Sequence, residues 1–519
     1  MRIALPDVRI IELVSGPAGS IPGMILADFG AEVVTINRAG DPLSELAASP
    51  MLARGKHVLD LDLDNSAELG RLHDLLGSAD VLVTNWRAAA LQRRRLDFEH
   101  VRAAHPHLVY CRISGFGHKG PMADVPGYEH VVAAWLGRMN LYSGIVDRPG
   151  PVFSALQVGV HACAQSATAG ILAALLARAG DGCAGRLVET SVLQGLSAYE
   201  QGALIGEQLP ERFGHLAGIL EPKDAEPGLP RIHYHPVQAA DGRWMQLGNL
   251  LPHLLDNFLT VTDLIDVVAD PDFDPAQMGL PAEKLERFRN RMLLRMQERS
   301  AADWMSDFVD NGGVAATPYQ TTRQALDDAD ITANGHVVES PDGGRQLGPV
   351  ARLGRTPARP GGQCVNGTAL AARWLETPRN GVARNPAKAA PLDGIRVVEL
   401  ATIIAAPLGA SFLADMGAQV TKVEPVGGDP FRGLAGGMGA ARTNAGKRSI
   451  SIDLKSEQGR SAVMRLLEGA DVLIHNFRPG VPEKLGIAYE QVRAVNPDIV
   501  YVQCNGYGPR GPGANRPST

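Results

Sequence analysis

The chain has 519 residues, and 50 Lys and Arg against 56 Asp and Glu give a formal net charge of -6. Hydrophobic residues make up 45% and charged residues 20%, a globular composition that excludes a disordered or fibrous protein. The mild acidity gives no electrostatic attraction to nucleic acid or to an anionic membrane. No run of about 18 apolar residues is present and the N-terminus lacks the apolar stretch of a signal peptide, so neither a membrane span nor secretion is predicted.

Strands and helices are predicted to alternate from residue 8 to residue 196. Short apolar, β-branched runs predict strands at 8–14, 31–37, 79–85 and 107–114. Apolar or amphipathic runs predict helices at 22–30, 65–77 and 166–180, and a strand followed by a helix at 185–196. This alternation favours an α/β fold with a Rossmann-like parallel sheet.

Residues 226–330 have a different character. A strand is predicted at 241–249, and three amphipathic helices follow at 251–262, 281–300 and 301–312. We predict a smaller α+β domain here, inserted into a large domain. The large domain then consists of residues 1–225 and a return segment, 331–376.

The chain contains an internal repeat. Residues 5–38 match residues 392–425 at one offset of 387, which places Arg9 on Arg396 and Glu12 on Glu399. Later blocks match at an offset of 391, as ADVLVTNWR matches ADVLIHNFR. Several matching blocks in the same order indicate a duplicated domain.

We call residues 1–376 the first unit and residues 392–519 the second unit. The second unit is a partial second copy of the large domain, since its last residues fall opposite Met122–Tyr128. Residues 377–391, rich in Pro, Ala and basic residues, are predicted to be a linker. A partial sheet exposes an apolar face and a strand edge, so the second unit is expected to pack against the first unit or another chain.

Three kinds of motif lie near strand ends, where α/β sheets bind ligands. The turn at 16–23, GPAGSIPG, allows two interpretations, a phosphate-binding turn or a plain tight turn. Asn85 and Asn476 end equivalent strands. Each is interpreted either as a ligand contact or as a residue that forms a turn. The glycine-rich loops 114–121 and 505–512 each carry a basic residue, and either hold an anion or only require positive φ.

The cysteines and histidines do not suggest a metal site. There are five cysteines, an odd number, and no two have C-x-x-C spacing. This pattern favours neither a disulfide framework nor a zinc site and is typical of a cytoplasmic protein. No metal and a cytoplasmic location are therefore predicted.

The motifs, taken in order, resemble the class III CoA-transferases of the CaiB/BaiF type. The segments that carry the likeness are RIIEL, ILADFGAEVV, RGKHVLDLDL, ADVLVTNWR, ISGFGHKGP, PGYE, GILAALLAR and GRLVETSVLQG, with LADMGAQVTKVEP, GGDP, NAGKRSISIDL and NFRPG in the second unit. The resemblance covers nearly the whole chain. It implies a Rossmann-like large domain, a small inserted domain and interlocked dimers. A two-copy chain resembles the fused members, which implies an intramolecular pseudo-dimer as the alternative to a homodimer.

The resemblance also implies a reaction, in which CoA moves between an acyl-CoA and a carboxylic acid through an enzyme-bound intermediate. In this family an Asp carboxylate attacks the thioester and keeps the acyl group activated. The family places that Asp ten residues before the Gly of GILAAL, where this chain has Val160. Residues 150–179 contain no Asp or Glu, and Gln157 is the nearest polar candidate. An amide cannot form the acyl anhydride.

Other family positions imply contacts with coenzyme A. These positions are Gly16, Pro17, Ala18, Arg38, Asn85 and Arg93, with Asn476 and Lys484 in the second unit. Guanidinium and ammonium groups suit a polyanionic cofactor. The expected ligands are an acyl-CoA and a carboxylic acid.

Two alternatives remain for the function. The chain could be a non-catalytic, CoA-ester-binding or structural half of a fused transferase, in which the nucleophile belongs to a later part of the second copy. Acyl-CoA racemases share the fold but use a His where this chain has Tyr128. Because the ordinary pKa of a tyrosine is about 10, Tyr128 is a poor base and racemase chemistry is disfavoured.

Overall fold

A computed structural model describes residues 3–37, 50–139, 151–152, 156–181, 184–199, 211, 232–270, 282–340, 342–379, 390–433 and 437–518. Most of the predicted linker, and Arg38, lie outside this part of the chain.

The first unit is built on a sheet of seven parallel strands. In chain order these are β1 (Arg9–Leu13), β2 (Glu32–Asn37), β3 (His57–Asp60), β4 (Val81–Thr84), β5 (Val109–Ser114), β6 (Leu187–Ser191) and, from the return segment, the strand Val365–Asn366. The spatial order places Val365–Asn366 beside β3, followed by β2, β1, β4, β5 and β6. The predicted α/β fold with a Rossmann-like parallel sheet is confirmed.

Helices cover both faces of this sheet. They are α1 (Gly16–Asp28), α2 (Pro50–Ala53), α3 (Ser66–Leu76), α4 (Ala88–Arg93), α5 (Phe98–Ala104), α6 (Glu129–Trp135), α7 (Val158–Asp181) and α8 (Val192–Tyr199). Neighbouring strand residues point to opposite faces, so Ile10 packs with the α1 and α7 side and Ile11 with the α3 side. Burial on both faces explains why β1 reads as a continuous apolar run.

Helix α7 begins earlier than the sequence indicated. The expected helix started at Ser166, but α7 starts at Val158, eight residues sooner. Residues 158–165 contain no Pro, and a side chain from another element binds their free N–H groups, as described below. Position 160 therefore lies in the first turn of a helix.

The length and composition of α7 would also suffice to cross a membrane, over Val158–Ala179. In the structure, α7 residues Cys163, Ala167 and Ile171 are fully buried against the sheet. This packing is that of a core helix.

The described residues of the ranges 232–270 and 282–318 form a separate hydrophobic core. Their strands are β7 (Pro236–Gln238), β8 (Trp244–Leu247) and β9 (Ala316–Pro318), which make one antiparallel sheet. Their helices are α9 (Pro252–Val261), α10 (Ala282–Met296) and α11 (Ala301–Asn311). Phe258, Met292 and Trp304 pack together in this core. The arrangement is that of a small α+β domain; the predicted boundaries 226 and 330 remain predictions.

The chain then returns to the large domain. It forms α12 (Thr322–Asp327), α13 (Ala329–Ala333), a two-stranded antiparallel sheet of β10 (Val337–Glu339) and β11 (Arg345–Leu347), the edge strand β12 (Val365–Asn366) and α14 (Thr368–Leu375). In this last helix Trp374 is fully buried against the α3 side of the first sheet.

The second unit contains five parallel strands in the same order as the first five of the first unit. They are β13 (Arg396–Glu399), β14 (Gln419–Glu424), β15 (Arg448–Ser451), β16 (Val472–His475) and β17 (Val500–Gln503), arranged β15-β14-β13-β16-β17. The register also repeats, because Arg9 lies opposite Glu32 and Arg396 lies opposite Gln419. The helices are α15 (Ala405–Asp415), α16 (Met438–Thr443), α17 (Glu457–Glu468), α18 (Val481–Leu485) and α19 (Tyr489–Val495).

The second unit packs against α7 of the first. Ala173 of α7 lies in one buried cluster with Leu392, Val397 and Ala406 of the second unit. The expected packing of the second unit on the first is therefore present in the structure, and α7 lies between the two sheets.

Candidate functional site

The loop between β1 and α1 is held by the end of the neighbouring strand. Asn85, just after β4, accepts a hydrogen bond from the Ser15 N–H at 2.9 Å and donates one to the Ser15 carbonyl at 2.6 Å. Gly16, at φ +69°, then starts α1, and Gly16, Pro17 and Ala18 form its first turn. Asn85 thus fixes the loop for which the family resemblance implies contacts with coenzyme A.

The second unit repeats this clamp with one important difference. Asn476 accepts from the Thr402 N–H at 3.1 Å and donates to the Thr402 carbonyl at 2.9 Å. The next residue is Ile403, at φ +71°, where the first unit has Gly16. A left-handed conformation is strained for a β-branched residue. The Ile403 N–H faces the Asp429 carboxylate at 3.2 and 3.3 Å, so this backbone donor is already engaged.

A buried ion pair lies below each loop. In the first unit the Lys56 ammonium binds the Glu12 carboxylate at 2.9 Å and the Ser20 carbonyl of α1 at 2.8 Å. Glu12 is fully buried, so the ion pair is shielded from solvent. It ties the start of β3 to the first turns of α1 and holds α1 in place.

The equivalent group in the second unit is a cluster of four buried charges. Lys422 binds Glu399 and Asp429, each at 2.9 Å, and Lys447 binds the other oxygen of Glu399 at 2.5 Å. Burial lowers the pKa of Lys447, although the neighbouring Glu399 opposes that shift. The two ammonium and two carboxylate groups balance in charge.

The first turn of α7 is capped by a carboxylate from a different helix. Glu129, the first residue of α6, accepts hydrogen bonds from the Gly159 N–H and the Val160 N–H, both at 2.8 Å. Its side chain is 7% exposed. The sequence has no carboxylate between residues 150 and 179, but the fold brings the Glu129 carboxylate to the backbone of Val160.

Three other residues near this turn do not supply a nucleophile: Val160, Gln157 and Cys163. Val160 is buried, and Gln157 lies exposed just before α7. Burial raises the pKa of the Cys163 thiol to about 12, so it stays protonated at neutral pH. In the sequence, Gln157 was the polar candidate nearest to position 160. Among the described residues, the carboxylate nearest to the Val160 backbone in space is that of Glu129, which lies 28 residues before Gln157.

The predicted basic residues are only partly located. Arg93, at the end of α4, and Lys484, in α18, are exposed and follow the two Asn clamps by eight residues each. Their contact with the phosphates of coenzyme A remains a prediction.

The two glycine-rich loops differ in their surroundings. Gly117 and Gly120 in the first unit, and Gly508 and Gly511 in the second, all have positive φ. The expectation of positive φ is therefore confirmed for both loops. The second loop is docked on α13 through Asp330 and Asn334, so its backbone at Arg510 faces protein.

No group of three or more His, Cys, Asp or Glu side chains with metal-binding geometry occurs among the residues that the structure describes. The absence of a metal remains a prediction.

A family model named "CoA-transferase family III" matches residues 5–364 and, separately, residues 392–519. The chain is 23% identical to "CoA-transferase/lyase DddD" of Marinomonas sp. over 98% of its own length and 66% of that protein's. It is 28% identical to "Succinyl-CoA--D-citramalate CoA-transferase" of Chloroflexus aurantiacus, over 70% of this chain and 91% of that one. It is also 29% identical to "Alpha-methylacyl-CoA racemase" of Mus musculus, over 69% of this chain and 88% of that protein.

A solved structure gives the same fold. The crystal structure of a CAIB/BAIF family protein from Brucella suis matches with a TM-score of 0.59 and 21% identity, over 72% of this chain and 100% of that chain. At this identity the likeness concerns the fold alone.

Proposed function

Because the chain belongs to CoA-transferase family III, we propose that it binds an acyl-CoA and moves coenzyme A to a carboxylic acid. The observation that carries this proposal is the position of Glu129, whose carboxylate lies at the N–H of Val160, the family position of the nucleophile. The succinyl-CoA:D-citramalate relative supports a transferase, and the acyl donor and acceptor here belong to the classes acyl-CoA and carboxylic acid.

The proposed chemistry uses the carboxylate of Glu129. One oxygen attacks the thioester carbonyl, the C–S bond breaks, and CoA leaves as a thiolate, giving a mixed anhydride. The CoA thiolate then attacks the glutamyl carbonyl and releases the first acid. The incoming carboxylate next attacks the glutamyl-CoA thioester and displaces the thiolate, which attacks the new acyl carbonyl and restores Glu129.

Two features of the structure fit an acyl step at α7. Each Glu129 oxygen accepts one N–H and keeps a second lone pair for attack. The N–H groups of the first turn also stabilise negative charge there, since the N-terminal end of a helix carries partial positive charge.

We propose that CoA binds to the first unit. Gly16, Pro17 and Ala18 would face the thioester, held by Asn85, while Arg93 and Arg38 would meet phosphates. Asn476 and Lys484 are proposed for an equivalent site in the second unit. That site would be weaker, because the Ile403 N–H already donates to the Asp429 carboxylate and is not available to an anion.

A non-catalytic role is the second candidate. It is favoured by the burial of Glu129 and by its two backbone hydrogen bonds, which together are typical of a structural cap. In this case the chain binds CoA esters or supports a fused transferase without forming a covalent intermediate. Racemase activity is disfavoured, because Tyr128 stands where those enzymes have a His.

The proposed architecture is an intramolecular pseudo-dimer of two related units. The two separate family matches and the repeated strand order support it. The expected surroundings are cytoplasmic, with acyl-CoA and carboxylic acid as small-molecule partners and no nucleic acid.

The proposal is tested by incubating the chain with a panel of acyl-CoA esters and carboxylic acids and identifying new thioesters by mass spectrometry, with CoA binding measured by calorimetry. A new acyl-CoA that disappears in Glu129→Gln but persists in Glu339→Gln, an exposed-residue control, supports transfer through Glu129. CoA binding without any new thioester would support the non-catalytic role, and no binding at all would contradict both.

A further inference from the structure

Glu129 follows a point where the backbone crosses itself with no room for a side chain. The loop of residues 116–126 starts after Gly115, which follows β5, and ends before Gly127. A Cβ added to Gly127 would lie 2.0 Å from the Gly115 Cα, and one added to Gly115 would lie 2.3 Å from the Gly127 Cα. The two glycines therefore form a neck, which fixes where α6 and the Glu129 side chain begin.

The neck is fastened to the start of α8. The Gly115 carbonyl accepts a hydrogen bond from the Leu193 N–H at 3.0 Å. Strands β5 and β6 end side by side, with Ser114 opposite Ser191. The Ser191 hydroxyl is buried and accepts the Gln194 N–H at 3.1 Å, which caps α8. The start of α8 therefore has a fixed position relative to the neck.

Helix α8 in turn carries the first turn of α7, again through glycines. A Cβ at Gly195 would lie 2.7 Å from the Cys163 nitrogen and 2.9 Å from the Gly159 oxygen. On the other helix, a Cβ at Gly159 would lie 2.6 Å from Leu196 Cγ and 2.8 Å from Val192 Cγ1. Both glycines are buried. Because neither helix has a side chain at this crossing, a shift of α8 shifts the first turn of α7 with it.

Glu129 closes this series of contacts. One of its oxygens accepts the Gly159 N–H and the other accepts the Val160 N–H, both at 2.8 Å. The contacts thus form a closed ring, which we call the glycine ring and which runs through Glu129, Gly159, Gly195, Leu193, Gly115 and Gly127. Apart from the Glu129 side chain, every link is made by backbone atoms, so no link depends on the rotamer of another long side chain.

A helix cap alone would not require this arrangement. An Asn, Asp or Ser directly before α7 would satisfy its free N–H groups without help from another element. The residue before Val158 is Gln157 instead, and the carboxylate reaches the helix from α6, which is held through the neck and α8. This longer route fixes the direction of the carboxylate relative to both N–H donors.

We propose that the glycine ring is a positioning device for the Glu129 carboxylate, and that Gly115, Gly127 and Gly195 are positioning residues for the acyl step. This inference rests on the proposed transfer through Glu129. A nucleophile must stand about 3–3.5 Å from the carbon that it attacks, and a misplacement of about 1 Å can cost about 100-fold in rate. The ring holds the side chain and its two hydrogen-bond donors as one body, so the lone pair left on each oxygen keeps one direction.

The first test compares matched variants at equivalent positions of the two units. Gly115→Ala adds a Cβ 2.3 Å from the Gly127 Cα, and Gly506→Ala adds one 2.2 Å from the Ser518 side chain, in a unit without Glu129. Neither glycine has a positive φ, so each variant acts through its Cβ alone. With an acyl-CoA and acid that the wild type uses, we expect Gly115→Ala to lower kcat about 100-fold and to change the Kd of CoA less than about twofold. Gly506→Ala should change both quantities less than about twofold.

A second pair of variants tests the ring at the helix crossing. Gly195→Ala should also lower kcat with little change in CoA affinity, because its Cβ pushes α8 from the backbone of Cys163 and Gly159. Gly170→Ala is the control on α7. Its Cβ would lie 2.6 Å from Val188 Cγ1, a contact outside the ring, and kcat should stay near that of the wild type.

Hydrogen exchange provides a readout that needs no activity. In folded Gly115→Ala and Gly195→Ala the amides of Gly159 and Val160 should exchange on the order of tenfold faster, because their bonds to Glu129 are weakened. Gly506→Ala should leave both amides unchanged. In a Glu129→Gln background, Gly115→Ala should add little, since both changes act on the same contact.

The two readouts separate this inference from the proposed function. A wild-type chain that transfers no CoA would contradict the proposed function, and exchange at Gly159 and Val160 would then decide about the ring. Unchanged exchange of these amides in folded Gly115→Ala and Gly195→Ala would overturn the proposal. In an active chain, so would a wild-type kcat in both variants, or a kcat loss matched by an equal loss of CoA affinity, which a general structural defect would cause.

Discussion

The Glu129 carboxylate accepts a hydrogen bond from the backbone N–H of Val160 at 2.8 Å. This contact joins α6 to the first turn of α7 across 31 residues of sequence. It places a carboxylate where the sequence has an apolar residue, and it explains why α7 starts at Val158 although the sequence offers no local cap.

Glu129→Gln should destabilise the chain. An amide keeps one oxygen as an acceptor, but its NH2 group then faces a backbone N–H that has lost its partner. A buried unsatisfied donor costs about 1–3 kcal/mol. Urea unfolding should show a loss of that size, while Glu339→Gln, at an exposed position, should stay within about 0.5 kcal/mol of the wild type. Equal stabilities for the two variants would show that the cap contributes nothing.

Lys422→Met should strongly destabilise the second unit. Lys422 is 1% exposed and neutralises Glu399 and Asp429, which would be left with only Lys447. Removing one partner of a buried ion pair costs about 3–5 kcal/mol. Hydrogen exchange should show faster opening of β13 and β14 but not of β1 and β2. Lys455→Met, at an exposed position, is the control, and equal exchange in both variants would contradict the prediction.

His475 should make the second unit sensitive to mild acid. Burial lowers its pKa to about 4, and its Nδ1 accepts the Phe477 N–H at 3.2 Å. Between pH 6.5 and 4 the unfolded chain binds the proton and the folded chain does not, so stability falls as pH falls through this window. The full loss is on the order of 3 kcal/mol.

The first unit suggests the matched variant, because Thr84 occupies the equivalent position and its hydroxyl accepts the Trp86 N–H at 3.2 Å. His475→Thr keeps that acceptor and removes the titrating group. Its stability, followed by hydrogen exchange of β16, should depend less on pH than that of the wild type. Parallel pH profiles for the two proteins would show that His475 is not responsible.

Asn85→Ala and Asn476→Ala test which unit binds CoA. Each change removes two hydrogen bonds to the loop before the first helix of its unit. At about 1 kcal/mol for each of the two bonds, Asn85→Ala should weaken CoA binding by about 30-fold. Asn476→Ala should change the measured affinity less, because it alters only the loop of the second unit, where the Ile403 N–H is already bonded to Asp429. If calorimetry showed the larger loss of CoA affinity in Asn476→Ala, the tighter CoA site would belong to the second unit and the assignment to the first unit would be wrong.

The strands could be predicted from the sequence because they are buried on both faces and therefore apolar throughout. The run 8–14 became Arg9–Leu13, and 31–37 became Glu32–Asn37. The start of α7 could not be found in this way, since its cap comes from Glu129, a residue distant in the sequence. PGYE was visible as a motif, but only folding shows which N–H groups its Glu binds.

The sequence predicted where the candidate site residues lie on the sheet better than it predicted which atoms they contact. Asn85 and Asn476 were expected at strand ends, and they lie there, but their pairing with Ser15 and Thr402 required the fold. The glycine-rich loop 505–512 of the second unit shows the opposite case. Its glycines and Arg510 allowed either an anion site or a loop that only requires positive φ. The observed partners of its backbone are Asp330 and Asn334, because a glycine-rich loop fits closely packed protein as readily as it fits a phosphate.

The most direct test of the account is to trap the intermediate on Glu129. The chain is incubated with an acyl-CoA, treated with hydroxylamine or borohydride, digested and mapped by mass spectrometry. The account predicts a hydroxamate or a reduced side chain at Glu129 that depends on the acyl-CoA and is absent from Glu129→Gln. An unmodified Glu129 in a chain that binds CoA, or an adduct on another residue, would contradict it.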